Sequence, residues 1–178
     1  AHQLFGTGSG PTSPRDFVAS DDFIAFVAST PETGAELWVS DGSPTNTVAI
    51  DINLGIEPSN PTGFHLISDK VLFSAFDGDR HSLWVTDGTA AGTVSIGAAS
   101  NSHGVGSFQA FDSSVYFIAF GSQIWKTDGT TLGTMLVNDI GGNPYLIDSV
   151  DDKLFLGHDD GSGTERWYIT SASTGKVK

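Results

Sequence analysis

Short apolar runs separated by Asp- and Gly-rich turns follow one another along the chain. Residues 63–68, 71–76, 82–86 and 93–97 are four such runs within one stretch, each five or six residues long. Runs of this length that are rich in β-branched and aromatic residues and end in polar turns predict β-strands. No window has the sustained 3.6-residue period of an amphipathic helix. The pattern therefore predicts an all-β protein built from short antiparallel strands.

The third run of this stretch recurs along the chain together with the turn that follows it. Residues 83–93 read LWVTDGTAAGT, residues 37–47 read LWVSDGSPTNT and residues 124–134 read IWKTDGTTLGT; a decayed copy starts at Arg166. The four tryptophans occupy one place in this unit, at intervals of 46, 41 and 42 residues: Trp38, Trp84, Trp125 and Trp167. Four strands in a repeat of about 40–45 residues are typical of a propeller blade.

Four units account for the whole chain. We therefore expect one domain, 1–178, that forms a four-bladed β-propeller with four antiparallel strands per blade. The units are approximately 15–61, 62–106, 107–144 and 145–178 plus 1–14. Residues 1–14 align without a gap with residues 48–61, while the fourth unit lacks most of its own last strand. This predicts that the N-terminal strand completes the last blade and leaves no open edge there. The alternative is half of an eight-bladed ring formed by two chains.

Charge and composition limit the classes of partner. The chain carries 21 acidic and 8 basic residues, for a net charge of −13. Such a field repels phosphate, so nucleic acid and anionic membranes are poor partners. No apolar run approaches the roughly 18 residues of a membrane span. There is no cysteine, so disulfides do not contribute to stability. Because the sequence starts at Ala1 without a Met, we expect a mature form or an excised piece of a larger protein.

The repeated residues are best explained as architecture. Asp–Gly pairs at 41–42, 87–88 and 128–129 join the third strand of a unit to the fourth. Asp accepts backbone N–H bonds in such a turn, and Gly takes the positive φ. A tryptophan at one fixed place per blade fills the space between blades. The alternative for the tryptophans is an exposed ring that stacks on a sugar.

This unit resembles the bacterial ELWxxDGTxxGT repeat of large secreted and surface proteins. Residues 36–43, 83–93 and 124–134 carry the resemblance. Ser82 and Gln123 replace the Glu, Asn46 replaces the second Gly of the first unit, and the fourth unit has lost the motif. The resemblance implies a β-propeller-like repeat and an extracellular setting, and it implies no activity.

Function should lie in what differs between blades. The loops between second and third strands and between blades vary in length and share one face, as in a recognition surface. The candidate ligand-binding residues in these loops are Glu32, Asp77, Asp79, Arg80, His81, His158, Asp159 and Asp160. Four of them, in Gly-containing loops rich in oxygen ligands, are also candidate ligands for Ca²⁺: Asp77, Asp79, Asp159 and Asp160.

Three functions remain open from the sequence. The first is a non-enzymatic recognition or adhesion module, a monomer or a dimer at the cell surface or outside the cell, that binds a glycan or a protein. The second is a structural spacer without a ligand of its own. The third is a glycoside hydrolase, which needs two carboxylates about 5–10 Å apart in a pocket. Candidates for that pair are Asp16, Glu57 and the loop aspartates, but the narrow axis of a four-bladed ring leaves little room for a substrate.

Overall fold

The chain is almost entirely β-structure. The computed structural model describes residues 10–100, 105–159, 161, 163–170 and 174–177. One 3-10 turn, Pro44–Asn46, precedes β4. The strands are β1 (Thr12–Ala19), β2 (Ile24–Thr30), β3 (Gly34–Ser40), β4 (Val48–Ile50), β5 (Thr62–Ile67), β6 (Lys70–Phe76), β7 (His81–Thr86), β8 (Val94–Ser100), β9 (Gly106–Phe111), β10 (Ser114–Ala119), β11 (Gln123–Thr127), β12 (Met135–Asp139), β13 (Tyr145–Val150), β14 (Lys153–Asp159), β15 (Thr164–Thr170) and β16 (Thr174–Val177).

These strands form four sheets of four antiparallel strands, each in chain order from β1–β4 to β13–β16. The first strand of each sheet contacts the first strand of the next, from β1 to β5, β9 and β13. The first strands are therefore innermost and the fourth strands outermost. This arrangement confirms the expected four-bladed propeller. Within the described part of the chain, no helix is long and apolar enough to cross a membrane.

Neighbouring side chains on a strand point to opposite faces of the sheet, so consecutive apolar residues make both faces of the second sheet apolar. On β6, Val71 and Phe73 pack into a cluster with the first sheet, while Leu72 packs into a cluster with the third. Trp84 packs against the first of these clusters and Trp125 against the second, and each ring lies 6.5 Å from a buried Phe of its own sheet. The prediction that these tryptophans fill the space between blades is confirmed.

The last sheet differs from the sequence expectation. Its fourth strand is β16, which pairs antiparallel with β15 through Arg166–Val177 and Trp167–Lys176. The place beside β15 is thus occupied by the C-terminal strand, and the predicted N-terminal strand falls on residues whose structure is not described, so its pairing stays a prediction. A hairpin closed within a few residues costs less loop entropy than pairing strands from opposite ends of the chain. Residues 1–9 lie outside the described residues.

The Asp–Gly turn between the third and fourth strands is held by side chains. Asp87 Oδ1 accepts hydrogen bonds from the amide of Thr89 at 2.9 Å and from its hydroxyl at 2.7 Å. Gly88 has φ 87° and donates its amide to Thr86 Oγ1 at 3.1 Å. Thr86 and Thr93 share a hydroxyl hydrogen bond of 2.7 Å across the base of the turn. These bonds confirm an architectural role for the repeated Asp, Gly and Thr residues.

The second glycine of the motif is required by the same carboxylate. A Cβ atom on Gly92 would overlap the carboxylate of Asp87, and one on Gly133 would overlap that of Asp128. In the first unit, Asn46 stands at this place and donates from Nδ2 to Asp41 Oδ2 at 2.6 Å. Gly92 and Gly133 therefore have to be glycine because an aspartate carboxylate lies against them. The first unit instead has Asn46, whose side chain forms a hydrogen bond with the aspartate.

We predict that Asp87 and Gly92 are energetically coupled. Gly92→Ala should lower the free energy of unfolding by about 1–3 kcal/mol, because the new methyl group displaces the Asp87 carboxylate from its bonds. Asp87→Ala alone should cost about 1 kcal/mol through loss of the cap. The double variant should be more stable than the sum of the two losses implies, as measured by urea unfolding in a double-mutant cycle. Simple additivity of the two losses would contradict the proposed overlap.

Candidate recognition surface

The β4–β5 loop, residues 51–61, is anchored by a buried glutamate. Glu36 lies on β3 and its side chain has no exposed surface. Its carboxylate accepts hydrogen bonds from the amide of Ile52 at 3.1 Å, from the amide of Ser59 at 2.6 Å and from the Ser59 hydroxyl. One carboxylate on β3 therefore binds both ends of the loop.

Further hydrogen bonds fix the loop along its length. Asp51 Oδ2 accepts from the amide of Gly55 at 3.2 Å. The amide of Asn60 donates to the carbonyl of Ala35 at 3.1 Å, which ties the loop to the start of β3. The carbonyl of Ser59 accepts from Phe76 in the second sheet at 2.8 Å. The loop is therefore held at its base by two sheets, and its tip is presented in a defined conformation.

Two large aliphatic side chains project from that tip. Leu54 is 86% exposed and Ile56 is 70% exposed, on either side of Gly55, whose φ is 111°. Leu132, at 93%, is comparably exposed but lies in the turn after β11 on the opposite face. Folding leaves Leu54 and Ile56 in water, although water disfavours apolar surface. Such a pair on a fixed loop is typical of a binding surface.

Neighbouring loops bring charged residues to this tip. A Cβ atom on Gly34 would lie 2.9 Å from the carbonyl oxygen of Ile56, so the β2–β3 turn that carries Glu32 touches the loop. A Cβ atom on Gly78 would lie 2.8 Å from Asn53 Oδ1, so the β6–β7 loop also touches it. We call the resulting surface the loop patch, and it consists of Leu54, Ile56, Glu32, Asp77, Asp79 and Arg80.

The β6–β7 loop satisfies its own charges. Asp77 Oδ1 accepts from the amides of Asp79 and Arg80, each at 2.9 Å, and Arg80 donates to Asp79 Oδ2 at 3.0 and 2.6 Å. Partial burial opposes ionisation of Asp77, but the hydrogen bonds from the Arg80 and Asp79 amides and the Arg80 charge outweigh it and lower its pKa. The Asp77 carboxylate thus stays ionised, and hydrogen bonds within the loop hold its shape.

The other candidate residues lie elsewhere or play supporting roles. His81 starts β7, is half-buried and lies 5.2 Å from the ring of Phe76. His158, on β14, is 4% exposed and its Nε2 lies 3.1 Å from the carbonyl oxygen of Gly141. Asp159 Oδ1 accepts from the amide of Gly161 at 2.9 Å. Asp160 lies outside the described residues. His158 and Asp159 therefore support the loop between the third and fourth sheets, separately from the loop patch.

The predicted calcium ligands form two separate pairs on different sheets. Asp77 and Asp79 belong to the second sheet and Asp159 to the fourth. Among the described residues, no three His, Asp or Glu side chains are grouped so that they could hold a metal ion. Calcium binding by Asp77, Asp79, Asp159 and Asp160 stays a prediction.

The candidate hydrolase residues are placed on different elements. Asp16 lies on β1 and pairs with Arg15 at 2.8 Å on the exposed surface. Glu57 is exposed in the β4–β5 loop. Neither residue lines the cavity that lies between the second, third and fourth sheets.

Sequence reasoning missed Leu54, Ile56 and the role of Glu36. A signal for the aliphatic pair was present, since Leu-Gly-Ile interrupts a polar loop between two strands without continuing the alternation of either. Glu36 belongs to the repeat motif, but it bonds to residues 16 and 23 positions further along the chain, and no nearby sequence pattern predicts such bonds.

Comparisons with known proteins support the fold. No family model matches the chain, and no curated protein matches it. Among solved structures, the computationally designed Ika4 protein aligns with a TM-score of 0.54 and 18% identity over 95% of this chain and 99% of that chain. TolB from Acinetobacter baumannii aligns with a TM-score of 0.55 and 14% identity over 88% of this chain.

A chain from a nidogen–laminin complex aligns with a TM-score of 0.52 and 14% identity over 93% of this chain. The chain spans 41% of the TolB chain and 64% of the chain from that complex. Identities at this level are evidence for the propeller fold alone. The resemblance to the ELWxxDGTxxGT repeat stays a prediction.

The buried Glu36 carboxyl predicts a dependence of stability on pH. Burial raises its pKa, and the nearby Asp51 charge raises it further, against the lowering effect of hydrogen bonds from Ser59 and Ile52. The folded state therefore holds the proton more tightly than the unfolded chain, so Glu36 makes stability fall as pH rises above about 4.5. Glu36→Gln should remove this fall, whereas Glu57→Gln, in the same loop but exposed, should keep it. Urea unfolding between about pH 4.5 and 7.5 measures this; parallel curves for wild type and Glu36→Gln would contradict it.

Proposed function

We propose that this protein is a non-enzymatic recognition module, at the cell surface or outside the cell, that binds a protein through the loop patch. The observation that carries the proposal is the exposure of Leu54 and Ile56 on a loop whose conformation is fixed by Glu36. Binding residues often lie on loops that a rigid scaffold positions, and the sheets below this loop are such a scaffold.

The energetics of the loop favour association. Burying a Leu or Ile side chain that was exposed contributes about 1.5–3 kcal/mol. Ordering a flexible loop on binding costs free energy, and a loop that is already held at both ends avoids much of that cost. Two exposed aliphatic side chains on such a loop can therefore serve as the anchors of an interface.

The chemistry of the patch favours a protein over a glycan. Glycan sites commonly place an aromatic ring beside polar groups, so that the ring stacks on the apolar face of a sugar. The tip of the β4–β5 loop instead exposes two aliphatic chains, with Glu32, Asp77 and Asp79 around them and Arg80 paired to Asp79. The complementary partner has an apolar pocket with a basic rim. The match to a chain from a nidogen–laminin complex is consistent with a protein partner for this fold.

Other features of the proposal rest on the sequence. The extracellular setting follows from the resemblance to the ELWxxDGTxxGT repeat. The choice between a monomer and a two-chain ring, and the use of calcium in the loops, remain predictions of the same kind. A spacer and a glycoside hydrolase are the alternatives that the experiment below separates from a recognition module.

The test combines a photo-crosslinker with matched variants. A benzophenone amino acid at position 54 should crosslink to an extracellular protein that binds the purified chain with a measurable Kd, and one at position 132 should not. Leu54→Ser with Ile56→Ser should weaken that binding by about 2–5 kcal/mol while changing stability by less than about 0.5 kcal/mol. Leu132→Ser, equally exposed on the other face, should leave Kd unchanged.

Three results would count against the proposal. Binding that survives the double substitution places the interface elsewhere. A hit on a glycan array, in Ca²⁺ or in EDTA, that is unchanged in the variant with Leu54→Ser and Ile56→Ser favours a lectin. An absence of crosslinks at position 54 together with a blank array favours a spacer.

A further inference from the structure

A cavity of about 710 Å³ opens on the face opposite to the loop patch. It lies between the inner strands of the second, third and fourth sheets, where the turns after β5, β9 and β13 come together. These turns are at the other edge of the sheets from the β4–β5 loop because successive strands run antiparallel.

The cavity combines an apolar wall with a polar rim. Leu66 and Ile67 of β5 line it together with Phe111 of β9 and Val115 of β10. Phe111 and Val115 are buried members of the clusters between the sheets, so this wall is rigid. Serine hydroxyls and three carboxylates complete the lining, the carboxylates being Asp112, Asp151 and Asp152.

Two of the three carboxylates are available to a ligand. Asp152 is paired with Lys153 at 2.6 Å. Within the described residues, no hydrogen bond or ion pair occupies the carboxylate of Asp112 or Asp151, although the Asp151 charge, after the hydrogen bond and charge of Asp152, helps to raise the pKa of Lys153. Burial and the negative charge of Asp112 both raise the pKa of the adjacent Tyr116 hydroxyl, so the field of Asp112 extends into the protein.

We propose that this cavity binds a small organic cation with an apolar body. The ammonium group lies between Asp112 and Asp151, and the apolar body covers Leu66, Ile67, Phe111 and Val115. Small-molecule sites have volumes of about 300–1,000 Å³ and combine apolar walls with a few polar groups, and this cavity has a volume and a lining of that kind. A bare metal ion does not fit this lining, since Ca²⁺ requires six to eight oxygen ligands and one wall is hydrocarbon.

The site is independent of the loop patch. It uses different residues, different turns and the other face of the propeller, so a failure of either proposal leaves the other unaffected. It adds a ligand class that the proposed protein recognition does not require.

The test is calorimetric titration of the full chain with four probes of graded chemistry. Phenethylammonium has the charge and the apolar body, 2-phenylethanol lacks the charge, ethylammonium lacks the ring, and 3-phenylpropionate reverses the charge. We expect phenethylammonium to bind at least about tenfold more tightly than each of the others, in line with the strength of a charge-assisted hydrogen bond. Equal binding of phenethylammonium and 2-phenylethanol, or no binding of phenethylammonium, would overturn the proposal.

Matched variants locate the site. Asp112 and Asp151 have φ of 48° and 54°, a region that Asn tolerates well, so Asp112→Asn with Asp151→Asn should fold normally. This double variant should weaken phenethylammonium binding by about tenfold. Asp21→Asn with Asp22→Asn removes the same charge from the corresponding turn after β1, outside the cavity lining, and should change binding by less than about twofold. Equal weakening by both double variants would mean that the overall negative charge, and not this cavity, attracts the cation.

Discussion

The second and third sheets of this protein have two apolar faces, and packing of sheet against sheet is the constraint on which the rest depends. A sheet with one apolar face can lie on a single partner, but a sheet with two needs a neighbour on each side. Val71 and Phe73 face one neighbour of β6 and Leu72 faces the other. The arrangement of the sheets, the buried phenylalanines and the tryptophans beside them all follow from this requirement. The turns and loops then lie on the two faces of the propeller, where ligands can reach them.

The two faces of the propeller differ because the turns on one of them stabilise the fold, whereas the loops on the other vary from sheet to sheet. The turns after β3, β7 and β11 repeat one set of hydrogen bonds, so their residues are committed to the fold. The connections on the other face differ from sheet to sheet. In the β4–β5 loop, the buried Glu36 carboxylate holds both ends of the loop, so the residues at its tip are not needed for its stability and can be apolar and exposed. Because Glu36 stabilises this loop from within the protein, Leu54 and Ile56 at its surface can contribute little to folding.

Much of the fold was predictable, because the repeat of Trp and Asp–Gly has a mechanism that acts within a few residues. Asp87 bonds to Thr89, and Gly88 bonds to Thr86, so the sequence alone carries that information. The strand that completes the last sheet was not predictable in the same way, since alignment favoured the N-terminal residues while Thr174–Val177 takes the place. The candidate site was only partly predictable. Glu32, Asp77, Asp79 and Arg80 lie on two turns that contact the β4–β5 loop at Gly34 and Gly78. Contacts between distant segments decide which side chain reaches the tip of that loop and where a cavity opens.

The overlap between Gly92 and Asp87 constrains the order in which this repeat can change. While the aspartate remains, any larger residue at the glycine position is disfavoured, so the glycine is lost only after the aspartate or together with a side chain that bonds to it. Asn46 beside Asp41 is an example of the second route, in which the side-chain amide donates a hydrogen bond to the carboxylate. Related repeats would therefore lose these two residues in a preferred order. A turn that has lost the glycine would be expected to have lost the aspartate first, or to carry a side chain that bonds to it.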